Sequence, residues 1–358
     1  MRKNVPVFFI LLFVFCSISG CSRSEQKMKI PEIKLITIEN VHGVIAPDDN
    51  NIWITGAYGS IHHSEDAGLT WVSQDSGEEE TIIVDGVFLN RNVGWLVGNN
   101  GTILHTKNSG KTWVRQKTGT KKHLFSISFV DQNYGWACGD WNTVIHTEDG
   151  GLTWTPQSEE FDKSLNNIFF VDRQNGWLVG ERGILKSTTD GGLTWSDQRP
   201  QAFIRESFEE ELEDPPPTLY GVFFTDNKNG FACGIGGTII RTADSGKKWE
   251  VLPAVTEETL YTLVIKGKKG WAIGDKGAYL MSSDGGLTWR NKPEAIKSKQ
   301  PFRDIYFTSE TNGWAVGGGG SVTHTEDGGL TWEFYSGLSY AMEFFKMPKG
   351  LEFGGGVE

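Results

Sequence analysis

Seven acidic or amide side chains recur at one register along the chain: Asp66, Asn108, Asp149, Asp190, Asp244, Asp284 and Asp327. Three residues ahead of four of them stands a histidine: His63, His105, His146 and His324. Carboxylates and imidazoles at this density are the side chains that hold divalent metals and move protons. The other occupants of the same slots point elsewhere. Asn108 fills the acidic slot without charge, and Ser187, Arg241 and Met281 fill the histidine slot. Equivalent positions on separate units do not converge on one ion, and no His-x-x-x-His or Cys/His ligand spacing occurs. The seven are expected to be structural, the histidines to be packed or hydrogen-bonded strand residues, and no metal or cofactor is expected.

What positions these residues is a repeat. The octets SEDAGLTW (64–71), TKNSGKTW (106–113), TEDGGLTW (147–154), TTDGGLTW (188–195), TADSGKKW (242–249), SSDGGLTW (282–289) and TEDGGLTW (325–332) each follow an element of the form G-W-x-x-G. That element is centred on Trp53, Trp95, Trp136, Trp177, Phe231, Trp271 and Trp314, with Ile52 in place of the leading glycine in the first copy. From the aromatic at i, every copy places Gly at i+3, Asp or Asn at i+13, Gly at i+15 and Trp at i+18. Between copies the spacing varies, at 42, 41, 41, 54, 40 and 43 residues, so insertions fall only between rigid units.

The third copy reads as four short strands over 124–130, 135–139, 143–147 and 153–157, with Pro156 suiting an outer edge. A period of ~40 residues built of four strands is that of a propeller blade, which must stack radially on its neighbours to bury both faces. The fold class expected is therefore all-β: a β-propeller of seven complete four-stranded units. Two scraps remain. Glu32 to Ile38 reads as a strand, and 341–358 repeats the first half of a unit. Together they would form a composite eighth blade; the alternative is a ring of seven with loosely attached ends. The sequence leans toward eight.

The octet resembles the Asp-box of sialidases, xyloglucanases and sortilin-type receptors. The resemblance places it at the turn between the third and fourth strands. There the carboxylate accepts bonds from turn amides, glycine takes a backbone angle other residues resist, and tryptophan supplies apolar area.

Composition bounds the rest. The 358 residues include 45 glycines and 14 tryptophans, and 34 basic against 45 acidic residues give a net charge of −11. That sign excludes a general nucleic-acid binder. Arg2 and Lys3, an apolar run from Val5 to about Ile18, and then Ser19-Gly20 form a secretory signal too short to span a bilayer. Ile18-Ser19-Gly20-Cys21 resembles the lipobox of bacterial lipoproteins. The expected organisation is a signal peptide over 1–20, a tether over 21–32 lipidated at Cys21, and a single propeller over 33–358. Ser22 resembles the outer-membrane sorting pattern, so the expected location is the periplasmic face of the outer membrane, with lipid as the membrane anchor. Cys138 and Cys233 occupy one slot in different copies and are expected to be free buried thiols.

Variation concentrates on the propeller face opposite the Asp-boxes, formed by the turns between second and third strands and by the links between blades. Those turns carry Tyr58, Asn99, Asp140, Trp141, Glu181, Arg182, Asp275 and Lys276. The longest link adds Arg205, Glu209, Glu210 and Glu211 within an acidic stretch ending in Pro215-Pro216-Pro217. Insertions on a rigid scaffold often carry function, and Trp141 alone lies outside the repeat's own tryptophans. These residues are the candidate partner face, with another envelope or membrane protein as partner. The rival reading is a secreted glycoside hydrolase, for which Asp140, Glu181 and Asp275 offer carboxylates on one face; the arginines share no common register, and no nucleophile elbow, P-loop or dinucleotide fingerprint is present.

Taken together, the unit N-x-G-W-x-x-G-x-x-G-x-I-x-x-T-x-D-G-G-x-T-W, clearest over 92–113, 175–195 and 312–332, resembles the photosystem II stability/assembly factor family. The resemblance implies a non-enzymatic propeller that helps assemble a membrane complex by binding protein. It also implies an arginine-rich patch, which this chain replaces with Arg182, Lys276 and Arg205 among acids.

Overall fold

The computed structural model describes residues 39–158, 161–204, 207, 213 and 215–336. Signal, tether, Cys21, the strand read at 32–38, Arg205, Glu209, Glu210, Glu211 and the half-unit at 341–358 lie outside the described residues. Seven antiparallel four-stranded sheets form the ring, each in simple sequence order. In the third blade the strands are Leu124–Phe129, Gly135–Gly139, Val144–Thr147 and Thr155–Pro156, with Pro156 on the outer edge. The first strands of successive blades touch one another and line the axis.

The ring closes at seven. The first strand of blade 1, Val41–Ile45, lies directly against the first strand of blade 7, Phe302–Phe307. Val41, Val44, Ile52 and Ile54 share a buried cluster with Trp314, Val316 and Val322. No gap for a composite eighth blade exists between them, which corrects the expectation drawn from the two scraps.

Aromatic stacking between blades explains why the G-W element tolerates no insertion. Trp95 lies on Phe129 of the next blade at 3.7 Å, Trp136 on Phe170 at 3.6 Å, Trp177 on Phe224 at 3.5 Å and Trp271 on Phe307 at 3.5 Å. The tryptophan that ends the next blade's octet meets that phenylalanine edge-on, as Trp154 does Phe129 at 6.0 Å. The indole N–H reaches across as well: Trp136 Nε1 donates to the Gly191 carbonyl at 2.8 Å. The histidines close the stack from the other side, His105 on Trp95 at 4.5 Å and His324 on Trp314 at 4.3 Å. They are packed strand residues, as expected, and burial lowers their pKa, that of His105 to about 4.

The octet is the turn between third and fourth strands. In blade 3, Thr147 Oγ1 donates to Asp149 Oδ1 at 2.8 Å and accepts the Gly151 amide at 2.8 Å. Asp149 accepts the Thr153 amide at 2.9 Å and the Thr153 hydroxyl at 2.6 Å. Asn108 does the same work through Oδ1 and returns a bond from Nδ2 to Thr112 Oγ1 at 3.0 Å. Gly151 has φ +89°, and a Cβ there would sit 2.0 Å from Gln116 Oε1. Among the described residues no group of three or more His, Cys, Asp or Glu gathers as for a metal ion. Cys138 and Cys233 are free and buried in separate blades.

Candidate functional site

A single backbone irregularity, repeated in every blade, builds the site. Each first strand carries a β-bulge one residue in, where register with the second strand slips. A bulge leaves one residue outside the ladder and re-aims its side chain. The seven so released are His42, Val84, Phe125, Asn166, Tyr220, Tyr261 and Arg303, and together they line a concavity of about 360 Å³ at one end of the axis. That end is the face of the second-to-third-strand turns, because the start of a first strand pairs with the end of the second.

The mouth is lopsided. Tyr220 and Tyr261 meet edge to face at 5.3 Å, and the Arg303 guanidinium lies over the Tyr261 ring at 4.2 Å. The Tyr261 hydroxyl donates to Asp275 Oδ1 at 2.8 Å, tying the mouth to one of the sequence-nominated turns. Burial, then the hydrogen bond to Asp275, raises the Tyr261 pKa, so the hydroxyl stays protonated and a donor. Burial and Arg303 hold His42 below the usual imidazole range, leaving it neutral. Blades 5, 6 and 7 thus contribute two phenol rings and a cation, whereas the bulge residue of blade 2 is only Val84.

Just below these residues, lining the floor of the same concavity, sits a second, half-buried tier. Asp85 Oδ2 accepts the amide of Ile127 in the next blade at 3.1 Å, Asn167 Oδ1 accepts that of Val222 at 3.3 Å, and Asp304 Oδ2 accepts that of Val44 at 2.9 Å. Burial pushes Asp85 up to about 6 and Asp304 up to about 7.

Around the mouth stand the turn tips. Each turn is stapled to the preceding link: the amides of Asn99, Asp140, Glu181 and Asp275 donate to the carbonyls of Ile82, His123, Ser164 and Thr259 at 2.9–3.1 Å. The approach is so close that a Cβ on Gly139 would sit 1.9 Å from the His123 carbonyl oxygen, which explains the glycine at i+3. The tip residue itself is left-handed in every blade. Gly236 and Gly319 take that conformation at φ +66° and +62°, but Tyr58, Asn100, Trp141, Arg182 and Lys276 hold it at +50° to +57°. For a residue with a Cβ this costs roughly 1–2 kcal/mol. Such strain gathers at functional positions, and here five blades keep a side chain where two show that glycine suffices.

The sequence-nominated residues therefore share one face but not one site. Tyr58 is 70% exposed and Trp141 46% exposed, with the Lys122 ammonium 4.5 Å from the Trp141 ring centroid. Lys276 pairs with Glu258 at 3.1 Å. The three carboxylates have separate partners: Asp140 accepts the Ser164 hydroxyl at 3.2 Å, Asp275 accepts Tyr261, and Glu181 lines a lateral groove. The seven mouth residues escaped sequence reading. The signal was present in the variable slot eleven residues before the G-W aromatic (ten for Tyr261), the only place where a rigid unit holds histidine, valine, phenylalanine, asparagine, tyrosine and arginine in turn.

Fold and site together define an Asp-box propeller of seven blades with an asymmetric axial mouth. The family of photosynthesis system II assembly factor YCF48 matches over residues 23–105, 77–160, 107–199 and 205–299, and the chain belongs to that family. Among solved structures, YCF48 bound to D1 peptide is 21% identical, with a TM-score of 0.66 over 82% of this chain and 93% of that one. YCF48 from Cyanidioschyzon merolae is 17% identical, with a TM-score of 0.65 over 82% of this chain and 98% of that one. The GH74 xyloglucanase from Xanthomonas campestris is 11% identical, with a TM-score of 0.68 over 83% of this chain and 54% of that one, and shares the fold alone. No curated protein sequence matches the chain.

Proposed function

We propose that the chain is a non-enzymatic protein-binding module, an assembly scaffold that seats a segment of a partner protein in the axial mouth and steadies it on the turn tips. The observation that carries this reading is the mouth: seven bulge residues, one per blade, with Tyr261 in contact with both Tyr220 and Arg303 around a concavity of about 360 Å³. Tyrosine and arginine in a rigid concave setting are the groups that dominate interface energetics. The mouth holds one cation, Arg303, against the carboxyls of Asp85 and Asp304 in a chain of net charge −11, so a polypeptide segment rather than nucleic acid is the natural occupant. A solved relative carries a bound peptide, which supports the same reading. Lipid on Cys21, after loss of 1–20, holds the module at the periplasmic face of the outer membrane, near another envelope or membrane protein; this part rests on the sequence of the first 22 residues.

The test is affinity capture from envelope extract with wild type and with Tyr261→Ala plus Arg303→Ala. Loss of specific partners in the double variant is the expected result, and identical partner profiles would sink the reading. Cys21→Ser should abolish metabolic labelling with palmitate and release the protein from membranes. Hydrolysis of a xyloglucan panel, lost in Asp140→Asn or Glu181→Gln, would instead establish the glycosidase reading.

A further inference from the structure

On the same face, but out toward the rim, a second concavity of 560 Å³ lies between blades 3 and 4 and shares no residue with the axial mouth. Its walls hold Phe161, Lys163, Arg182, Lys186 and Arg199. Among the described residues, four cations meet two carboxylates there, Glu181 and Asp197, in a protein whose acids outnumber its bases by eleven. Asp197 is engaged by Arg199 at 2.8 Å and faces Lys186 across the strand pair, outside ion-pairing distance. Among the described residues, no carboxylate stands at ion-pairing distance from Lys163, Arg182 or Lys186. Unpaired cations crowded in one groove are electrostatically complementary to an anionic ligand.

The groove also has a fixed apolar wall. Phe161 lines it and is 59% exposed. The Phe161 amide donates to the Trp141 carbonyl at 3.3 Å and the Asn142 amide to the Lys163 carbonyl at 2.6 Å, so the link that carries Phe161 is clamped onto the turn. Arg182 is presented from a left-handed tip at φ +50°. An exposed ring on a clamped link, next to several cations, forms an anchor point and a charge clamp in one groove.

We infer that this lateral groove binds an extended acidic polypeptide segment bearing an apolar or aromatic residue. The acids meet Lys163, Arg182 and Lys186, while the apolar side chain lies against Phe161. A bilayer is flat and cannot enter a concavity between blades, and a polyanion as long as nucleic acid would run off the groove onto acidic surface. The inference rests on the reading of the chain as a protein-binding module but on none of the mouth residues.

Fluorescence anisotropy with a labelled twelve-residue peptide alternating Glu or Asp with Leu or Phe tests it. The expected result is saturable binding, at least tenfold weaker for the Gln/Asn counterpart and at least tenfold weaker for Arg182→Glu plus Lys186→Glu. Tyr261→Ala plus Arg303→Ala should leave the affinity unchanged, which separates failure here from failure of the axial site. If the charge reversal unfolds the blade, Arg182→Gln plus Lys186→Gln gives the same test at smaller amplitude. Equal affinity for acidic and amide peptides overturns the inference. So does an equal loss from Lys111→Glu plus Lys247→Glu in the Asp-box turns, or Arg182-dependent binding to phosphatidylglycerol vesicles in place of the peptide.

Discussion

Asp304 in the last blade accepts the backbone N–H of Val44 in the first at 2.9 Å, and this side-chain bond crosses the seam where the two ends of the ring meet. Asp85 and Asn167 repeat the arrangement between blades 2 and 3 and between blades 4 and 5, so the seam is built like an ordinary blade junction. Adjacent first strands splay too widely at the bulge to pair by backbone alone, and the carboxylate spans the difference. Its burial sets up a pH dependence.

Burial raises Asp304 from 3.8 to about 7 in the folded ring. A carboxyl raised in this way favours folding below its unfolded value, and the contribution is lost as pH climbs through the folded one. Asp304→Asn removes the titration and leaves a constant cost, since one of two amides then faces an NH₂ group. The melting temperature of the variant minus that of wild type should therefore rise between about pH 4 and pH 7 and level off above. The buried histidines, whose pKa values fall on folding, titrate in both proteins and cancel. A difference independent of pH would refute the assignment.

Tyr58→Gly should stabilise the protein by about 0.5–1 kcal/mol, because glycine relieves the left-handed tip while giving back part of the gain as chain entropy. The same substitution at Trp141, which also removes an interface ring, should stabilise while weakening partner capture. Urea denaturation measures the first effect. A destabilised Tyr58→Gly would mean that the exposed ring makes contacts that offset its strain.

Trp136→Ala should cost about 3–5 kcal/mol, the range for deleting a large buried aromatic. It removes the stack on Phe170 at 3.6 Å and the bond to Gly191 together. Trp141→Ala, on the surface, should stay within about 0.5 kcal/mol. Comparable losses for the two would contradict the division into structural and exposed tryptophans.

In the Asp-box, Asp149→Asn should be nearly silent, since Asn108 already fills that slot. Asp149→Ala deletes acceptors for the Thr153 amide and hydroxyl and should cost about 0.5–2 kcal/mol, as loss of a helix cap does. Equal effects would assign the carboxylate a role in charge rather than in turn geometry.

The blades could be read from sequence because their constraints are local. A carboxylate caps its own turn, a glycine lets a turn touch its own link, and each leaves a residue type at a fixed offset. The axial mouth could not be read in this way. Its residues share a position but no chemistry, and what joins His42 to Arg303 is a bulge in the backbone, which marks its slot by variability and by no one residue type. Ring closure was misjudged for a related reason. The half-unit at 341–358 carries the blade's local signals, but whether a blade fits depends on the angle between neighbours, and Trp314 against blade 1 had already settled that angle.

The ring is nearly seven-fold in its backbone and wholly unsymmetric in its mouth. A partner segment lowered onto a featureless ring would find seven equivalent settings. Because Tyr220, Tyr261 and Arg303 fall on consecutive blades opposite Val84 and Phe125, six of those settings are mismatched. The bulges therefore do more than open a cavity: they index the propeller like a keyed dial, on which an occupant of the axis would have one matched setting.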